Sequence, residues 1–284
     1  MKINAILLVN NEADILEEAL LSAMKFCHKI YVCDNGSTDG SWALVNEMSS
    51  RFSAIVTVEL CCLPFHQPSV SNVYNALHRQ FSDDDWWYLL KADEVFAKSP
   101  ERLLKEAAVQ GRNGVNAWCA EFYFTDEDLA NYELEDTSLP FAKRRKYYRI
   151  HNQETRFFKN APKQTWSGNF HAATPSWITS IAKTASIFMR FSERSPTQMQ
   201  IKARANECSE DAFNNAVSHT PPLTLKKAKA LDTYRNDSDF VLHKTTLIVS
   251  YAKALVQEAL QFTKLAQLGF QVRFKKNISE STIL

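Results

Sequence analysis

The amino-acid sequence predicts an α/β protein: a mostly parallel central sheet flanked by helices, with a helical C-terminal extension. Short runs of β-branched and aliphatic residues alternate with segments of helical period in the first part of the 284-residue chain. Alternation at this spacing is typical of β-α-β units, in which neighbouring strands run parallel. Beyond residue 237 the pattern is helical and carries no strand signal. We therefore predict a sheet domain over residues 1–205 and a helical extension, packed on it, over residues 206–284.

Three strand–helix units open the chain. Each predicted strand is rich in aliphatic and β-branched residues, and the predicted helices repeat apolar residues three and four positions apart. The strands are predicted at 2–9, 29–33 and 54–60, and the helices at 14–27, 42–48 and 71–81. Polar residues follow the first two strands: Asn10-Asn11-Glu12 after one, and Asp34-Asn35-Gly36-Ser37-Thr38-Asp39-Gly40-Ser41 after the other. Such residues are typical of turns and helix caps, so both strands are expected to end there.

An aromatic strand, Trp86–Leu90, comes fourth and is followed by Lys91-Ala92-Asp93-Glu94. Five aromatic or branched residues in a row are typical of a central strand buried on both faces. Because unpaired buried charge is costly, the charged residues that follow are expected outside the core. They would then lie in the crevice at the carboxyl ends of the strands, where open α/β sheets bind ligands. An ordinary strand exit is the alternative interpretation.

The later part of the sheet domain contains more scattered signals. A helix is predicted from Ser99, its N-cap, to Gln110, with Gly111 ending it. Further strands are predicted at 115–124, 155–159 and 185–191, an irregular acidic loop at 126–140, and a helix from Ser195 to about Cys208. The basic run 143–146 is either a solvated turn or a contact to a diphosphate or an anionic acceptor.

Composition narrows the class of protein. A formal net charge of +1 gives no electrostatic reason to expect nucleic acid as a partner. The six cysteines have no C-x-x-C spacing, which favours reduced cysteines of a cytosolic protein over a redox or zinc site. No apolar run approaches the roughly 20 residues of a membrane span, and no signal peptide is visible. The expected location is cytoplasmic, with a membrane-peripheral one as the alternative. The helix predicted at 237–268 would pack on the sheet domain, dimerise, or contact a membrane surface.

Parallel strands bring their carboxyl ends to one edge of the sheet, so Asn10, Asn11, Asp34 and Asp93 are expected to converge. The chain contains neither of the glycine-rich phosphate-binding motifs G-x-x-x-x-G-K-[ST] and G-x-G-x-x-G. Oxygen ligands with at most one imidazole suit Mn²⁺ or Mg²⁺. His171 is the candidate imidazole, and a hydrogen-bonded core histidine is the alternative.

Several motifs, taken together, resemble family-two glycosyltransferases of the GT-A fold. They are residues 5–14 at the first strand exit, the 34–41 turn, Ala92-Asp93-Glu94, and the later Arg156-Phe157-Phe158-Lys159 and Trp166-Ser167-Gly168-Asn169-Phe170-His171. The resemblance covers about residues 1–205 and depends on the order and spacing of the motifs. It implies a GT-A (Rossmann-like) fold and transfer of a sugar from a nucleotide-diphosphate donor to a glycan or other acceptor, usually by an inverting displacement.

The resemblance also implies roles at the donor site. Asn10 or Glu12 would lie beside the nucleotide, and Asp34 would contact its base or ribose. Asp93 would correspond to the second acid of the family's D-x-D motif and would bind the Mn²⁺ or Mg²⁺ ion that bridges the diphosphate. His171 would be a further metal ligand.

The reaction that the resemblance implies needs a carboxylate to take the proton of the acceptor. Asp126, Glu127 and Asp128 are the candidates, because they follow the fifth predicted strand at the binding edge. Glu121 lies within that strand and is less suited to the role.

One position departs from the family pattern. The family usually has D-A-D-E, whereas this chain has Lys91-Ala92-Asp93-Glu94, and a protonated lysine cannot bind a metal. Either Lys91 pairs with the diphosphate and partly replaces the cation, or the site is weakened and activity is altered. Because Asp93 and His171 remain, we expect metal dependence. The alternatives to a glycosyltransferase are a non-catalytic nucleotide-sugar or glycan binding module and a nucleotidyltransferase, whose basic glycine-rich loop is not visible here.

Overall fold

In the computed structural model, the described residues are 1–58, 70–96, 98–167, 174–183 and 185–200, with the backbone alone at 151–152 and 232–233. Nine strands lie in this part of the chain. They are β1 (Ile3–Val9), β2 (Lys29–Asp34), β3 (Ile55–Thr57), β4 (Trp86–Leu90), β5 (Glu94–Phe96), β6 (Gly114–Phe122), β7 (Tyr147–Lys159), β8 (Ser186–Arg190) and β9 (Asp232–Thr233).

These strands form one mixed sheet in the order β3-β2-β1-β4-β7-β6-β8-β5, and β9 pairs with β7. The pairs among β1, β2, β3 and β4 are parallel, as is the pair of β6 with β8. Strand β7 runs antiparallel to both β4 and β6, and β5 runs antiparallel to β8. Strands β6 and β8 therefore point the same way as β1 to β4. The prediction of an α/β fold with a central sheet flanked by helices is confirmed, and the sheet is mixed, with four of the eight strand pairs among the described residues parallel.

Helices cover both faces of the sheet. They are α1 (Leu16–Met24), α2 (Ser41–Arg51), α3 (Val70–Leu77), α4 (Glu101–Val109), α5 (Asp126–Ala130) and α6 (Phe141–Arg144) among the described residues. Alternate side chains of a strand point to opposite faces. Trp86 and Tyr88 accordingly join the core under α1, α2 and α4, whereas Trp87 joins a second core with Tyr74 of α3. Burial on both faces agrees with the uninterrupted apolar run of β4.

The expectation that Asp93 and Glu94 lie outside the core is wrong. Both side chains are buried, and Glu94 begins β5, a strand that the sequence pattern did not predict. The physical reason is pairing: Arg190 of β8 contacts Asp93, and Arg156 of β7 contacts Glu94. Buried charges persist in proteins when an opposite charge compensates them.

The segment after β6 is more ordered than the predicted irregular loop. Thr125 caps α5 through a capping box with Asp128, which explains why a helix starts at Asp126. The basic run is not a wholly solvated turn either, because Arg144 ends α6 and Arg145 is buried. Strand β7 begins at Tyr147, eight residues before the predicted strand, because its first half pairs with β6.

Other boundaries agree with expectation to within a few residues. Gly111 has a φ of 68° and ends α4, as the pattern predicted. The backbone N–H of Gln198 donates to the hydroxyl of Ser195 at 3.1 Å, so Ser195 caps the helical residues 196–200. The rest of that predicted helix, His171 and the helix at 237–268 lie outside the described residues.

The chain divides into two units, Met1–Arg235 and Asn236–Leu284. The predicted boundary at residue 205 lies among residues that are not described, so the domain assignment stays a prediction. In the portion that the structure describes, we find no helix with both the length and the apolar character needed to cross a membrane.

Candidate functional site

A crevice is expected between the carboxyl ends of β1 and β4. The chain leaves β1 through α1 to β2 and then β3 on one side, whereas β4 joins β1 on the other side. The strand order therefore reverses between β1 and β4, and this switch point is where open α/β sheets bind nucleotides. The residues that follow the two strands are Asn10-Asn11-Glu12 and Lys91-Ala92-Asp93.

Hydrogen bonds join the loop that follows β1 to the loop that follows β2. The Asn11 side-chain oxygen accepts from the backbone N–H of Thr38 at 2.7 Å, and the Asp39 carboxylate accepts from the backbone N–H of Ala13 at 3.0 Å. Burial alone would raise the pKa of Asp39, but hydrogen bonds from Ser41 and from backbone N–H groups lower it overall. The loops after β1 and β2 are thus linked before any ligand binds.

The predicted donor-site residues Asn10 and Asp34 lie at neighbouring strand ends. Val9 pairs with Asp34 in the β1–β2 register, and the Asn10 amide donates to the backbone oxygen of Asn35 at 2.5 Å. The Asp34 carboxylate accepts from the backbone N–H groups of Gly36 and Ser37, each at 3.1 Å. Asp34 therefore shapes its own turn, where Gly36 has a φ of 81°.

Asp93 lies in a buried network with Arg190. The Arg190 Nε donates to the Asp93 carboxylate at 3.3 Å, and an Arg190 Nη lies 3.8 Å from a carboxylate oxygen of Glu121. The hydroxyl of Ser192 donates to the other Glu121 oxygen. Burial alone would lower the pKa of Arg190, but Asp93 and Glu121 raise it overall, so the guanidinium keeps its charge.

Lys91 and Glu94 belong to a second network on the same edge. Arg156 donates to the Glu94 carboxylate and lies 3.0 Å from Glu154. The Lys91 ammonium lies 3.6 Å from Glu154 and 4.0 Å from Glu94, and its side chain is 41% exposed. Burial raises the pKa of Glu94 to about 7, Arg156 opposes that rise, and Asp93 adds to it. Lys91 is thus a partly exposed cation between one buried carboxylate, Glu94, and one partly exposed carboxylate, Glu154.

Arg194 connects the loop after β8 to the loop after β1. Its buried guanidinium donates to Glu12 and, at 2.8 and 3.0 Å, to the two oxygens of Asp14. The backbone oxygen of Arg194 accepts from Arg145 at 2.5 Å. Glu12, predicted to lie beside a nucleotide, therefore has a structural ion pair.

The three candidate bases lie in the first turn of α5. Asp128 forms the helix cap with Thr125, and its carboxylate lies 3.7 Å from Arg145. Burial raises the pKa of Asp128 in spite of these contacts. Glu127 accepts a hydrogen bond from the Tyr147 hydroxyl at 3.1 Å, and Asp126 accepts one from the backbone N–H of Glu127. Since β6 points the same way as β1 and β4, all three candidate residues lie at the same edge of the sheet as the exits of β1 and β4.

The described residues do not fit a divalent metal. They contain no group of three or more His, Cys, Asp or Glu side chains that could hold an ion. Asp93 already contacts Arg190, and position 91 is a lysine. The predicted ligand His171 lies outside the described residues.

The arginines at this edge were missed by the sequence interpretation, which assigned no role to Arg156, Arg190 or Arg194. The signal for Arg190 was present, since it is a basic residue within a predicted strand of otherwise apolar character. A charge in such a position needs a buried partner, and the abundant acids of the strand exits were the candidates.

Comparison with solved structures gives distant likenesses. No protein-family model matches the chain, and no curated protein matches it. A mannosyltransferase from Pyrobaculum calidifontis, solved in complex with GDP-Man and Mn²⁺, is similar over 72% of this chain and 61% of its own, with 16% identity and a TM-score of 0.41. The mannose-6-phosphate isomerase of Helicobacter pylori is similar over 57% of this chain and 62% of its own, with 9% identity and a TM-score of 0.31. The chain thus spans less than two thirds of either protein.

Proposed function

We propose that the chain is a glycosyltransferase that moves a sugar from a nucleotide-diphosphate donor to a glycan or other acceptor, with inversion. The observation that carries the proposal is the reversal of strand order between β1 and β4, with polar and charged residues at both strand exits. The motif resemblance agrees with this placement, because each of its first three motifs covers the exit of one of β1, β2 and β4.

The proposed roles combine what the motif resemblance implies with what the structure leaves exposed. Asp34 would meet the base or ribose, and Lys91 would pair with the diphosphate, since it is the exposed cation at the exit of β4. Asp128 is committed to the helix cap, so the base that takes the acceptor proton would be Asp126 or Glu127. The Mn²⁺ or Mg²⁺ ion predicted at Asp93 and His171 stays a prediction, and no step of the proposal depends on it.

A binding module without catalysis is the second candidate. The observation that favours it is the pairing of Asp93 with Arg190 next to a lysine in place of the first acid of D-x-D. In that case the crevice would bind a nucleotide sugar or a glycan and release it unchanged.

The proposal is tested by measuring the nucleoside diphosphate that is released from a panel of nucleotide sugars. The assay contains saccharide acceptors and is run with and without Mn²⁺. We expect turnover with at least one donor. Lys91→Gln should weaken donor binding about tenfold, because one charge-assisted contact to the diphosphate is lost. Lys105→Gln, an exposed lysine on α4, is the matched control and should change nothing. Binding without turnover would support the module, and absence of both would overturn both candidates.

A further inference from the structure

A pocket of about 500 Å³ lies beyond the carboxyl end of β6, between α5 and residues 142–147. This volume lies in the usual range of small-ligand sites. None of the donor-site residues Asn10, Glu12, Asp34, Lys91 and Asp93 lines it. The pocket is therefore a place for a second ligand at the same edge of the sheet.

The carboxylates of this pocket have partners within the fold. Glu135 accepts from Arg145 at 2.6 Å, and Asp128 lies 3.7 Å from the same guanidinium. Glu127 accepts from the Tyr147 hydroxyl. Each carboxylate still has lone pairs that can accept hydrogen bonds from a hydroxyl-bearing ligand.

Two cations of the pocket form no ion pair among the described residues. Lys143 and Lys146 line it with exposed side chains, and neither forms an ion pair with a carboxylate of the described residues. The Lys146 ammonium lies 5.2 Å from the centre of the Tyr147 ring. With Arg144 and Arg145, the lining has four cations against three carboxylates. An anionic group would be attracted to the two lysines, where no protein carboxylate competes.

The segment that lines the pocket is anchored to other parts of the fold. The backbone N–H of Phe141 donates to Glu18 of α1 at 2.9 Å, and the Arg144 guanidinium stacks 3.6 Å from the centre of the Phe141 ring. Arg145 is buried and also donates to the backbone oxygen of Arg194. The Nε groups of Arg144 and Arg145 are buried without a hydrogen-bond partner among the described residues.

The lining selects a class of ligand. A simple anion would use only the lysines and leave the remaining lone pairs of the carboxylates unused, and a neutral apolar molecule would use neither. A sugar offers hydroxyl donors to the carboxylates and a C–H face to Leu134 and the Tyr147 ring. We propose that this pocket binds a saccharide that carries a carboxylate or a phosphate, and that this saccharide is the acceptor of the transferase. Only the role as acceptor depends on the proposed function.

Calorimetric titration of the whole chain with glucuronate, glucose 6-phosphate and glucose tests the binding. At least one charged sugar should bind about tenfold more tightly than glucose, and the two charged probes distinguish carboxylate from phosphate. The double variant Lys143→Gln/Lys146→Gln should lose that preference, whereas Lys105→Gln should keep it. Equal affinity for charged and neutral sugars, or an equal loss in both variants, would overturn the proposal.

Acceptor kinetics separate this inference from the proposed function. With an active donor, the double variant should raise the KM for a charged acceptor about tenfold and lower kcat less. If the binding preference holds but no donor is turned over, the transferase proposal fails and the saccharide site stands. If turnover occurs and the acceptor KM is unchanged in the double variant, the acceptor role of the pocket fails and the transferase proposal stands.

Discussion

Glu94 is a carboxyl group inside the sheet, and its environment is asymmetric. One oxygen accepts from Arg156, whereas the other is buried without a hydrogen-bond partner among the described residues. Arg156 is shared with Glu154 at 3.0 Å, so Glu94 has only part of its compensating charge. Burial therefore raises the pKa of Glu94 to about 7. The proton on this residue is bound more tightly in the folded chain than in the unfolded chain.

The sign of the pH dependence follows from that difference. Because the folded-state pKa of Glu94 lies above the unfolded value near 4.5, the proton on Glu94 stabilises the folded chain. This stabilisation is complete below pH 4.5 and is lost as the pH rises through about 7. Relative to Glu94→Gln, the wild-type chain should lose on the order of 1–3 kcal/mol between pH 4.5 and 8. Urea unfolding at several pH values measures this slope. The exposed Glu47→Gln should not alter the slope, and an unchanged slope in Glu94→Gln would refute the prediction.

At the scale of elements, strand β6 depends on a glycine at its start. A Cβ atom at Gly114 would lie 2.7 Å from Cγ2 of Ile178 and 3.3 Å from Cγ1 of Ile181. The segment that contains these isoleucines is held to β6 by hydrogen bonds, since the backbone N–H groups of Asn113 and Gly114 both donate to the oxygen of Ser180. The β-branched Ile178 has little rotamer freedom to move aside. The absence of a side chain at Gly114 is therefore a packing requirement.

Gly114→Ala should destabilise the fold by about 1–3 kcal/mol, the usual effect of overpacking. In the double variant Gly114→Ala/Ile178→Ala the clash disappears. The loss of stability should therefore be smaller than the sum of the losses in the two single variants. Gly111→Ala is the control. A Cβ atom at Gly111 would meet open space, but the φ of 68° strains an alanine, so this variant should lose about 1 kcal/mol of stability. Its effect should be additive with that of Ile178→Ala. Thermal or urea unfolding of the set measures the coupling. Strict additivity at Gly114 would show that no clash exists.

Across the whole molecule, arginines join the two parts of the sheet. Arg194 follows β8 and binds Glu12 and Asp14, which follow β1, although three strands separate β1 from β8 in the sheet. Arg145 links Arg194 to Glu135, so the network reaches the segment after β6. The net stabilisation from such a network is small. Removal of one partner is nevertheless costly, because it leaves a buried charge unpaired.

Arg194→Met should lower the free energy of unfolding by about 3 kcal/mol, because it leaves Glu12 without its buried counter-charge. Arg102→Met, which removes a fully exposed partner of Glu106 on α4, should leave the unfolding midpoint unchanged. Urea unfolding at neutral pH compares the two variants. If Arg194→Met is as stable as the wild-type chain, the arginine does not hold the loops after β1 and β8 together.

Much of the fold could be predicted from local pattern. The first three strands, the aromatic strand and the α/β class follow from runs and periods that need no distant partner. The first half of antiparallel β7 and the short β5 could not be found in this way, because their pairing with β6 and β8 gives no local signal. For the candidate site, the exits at Asn10, Asp34 and Lys91 could be predicted, since parallel strands align their ends.

The sequence by itself determined which strands end in polar residues, and hence which edge of the sheet carries the candidate site. Only the tertiary structure decided which of those residues face solvent and which are buried in ion pairs. Glu94 and Arg156 are 62 positions apart, and Asp93 and Arg190 are 97 apart. A charge enters a core only when a distant segment supplies its partner, and no local pattern shows that partner. For that reason Lys91 remains solvent-facing while Asp93, two positions later, is buried.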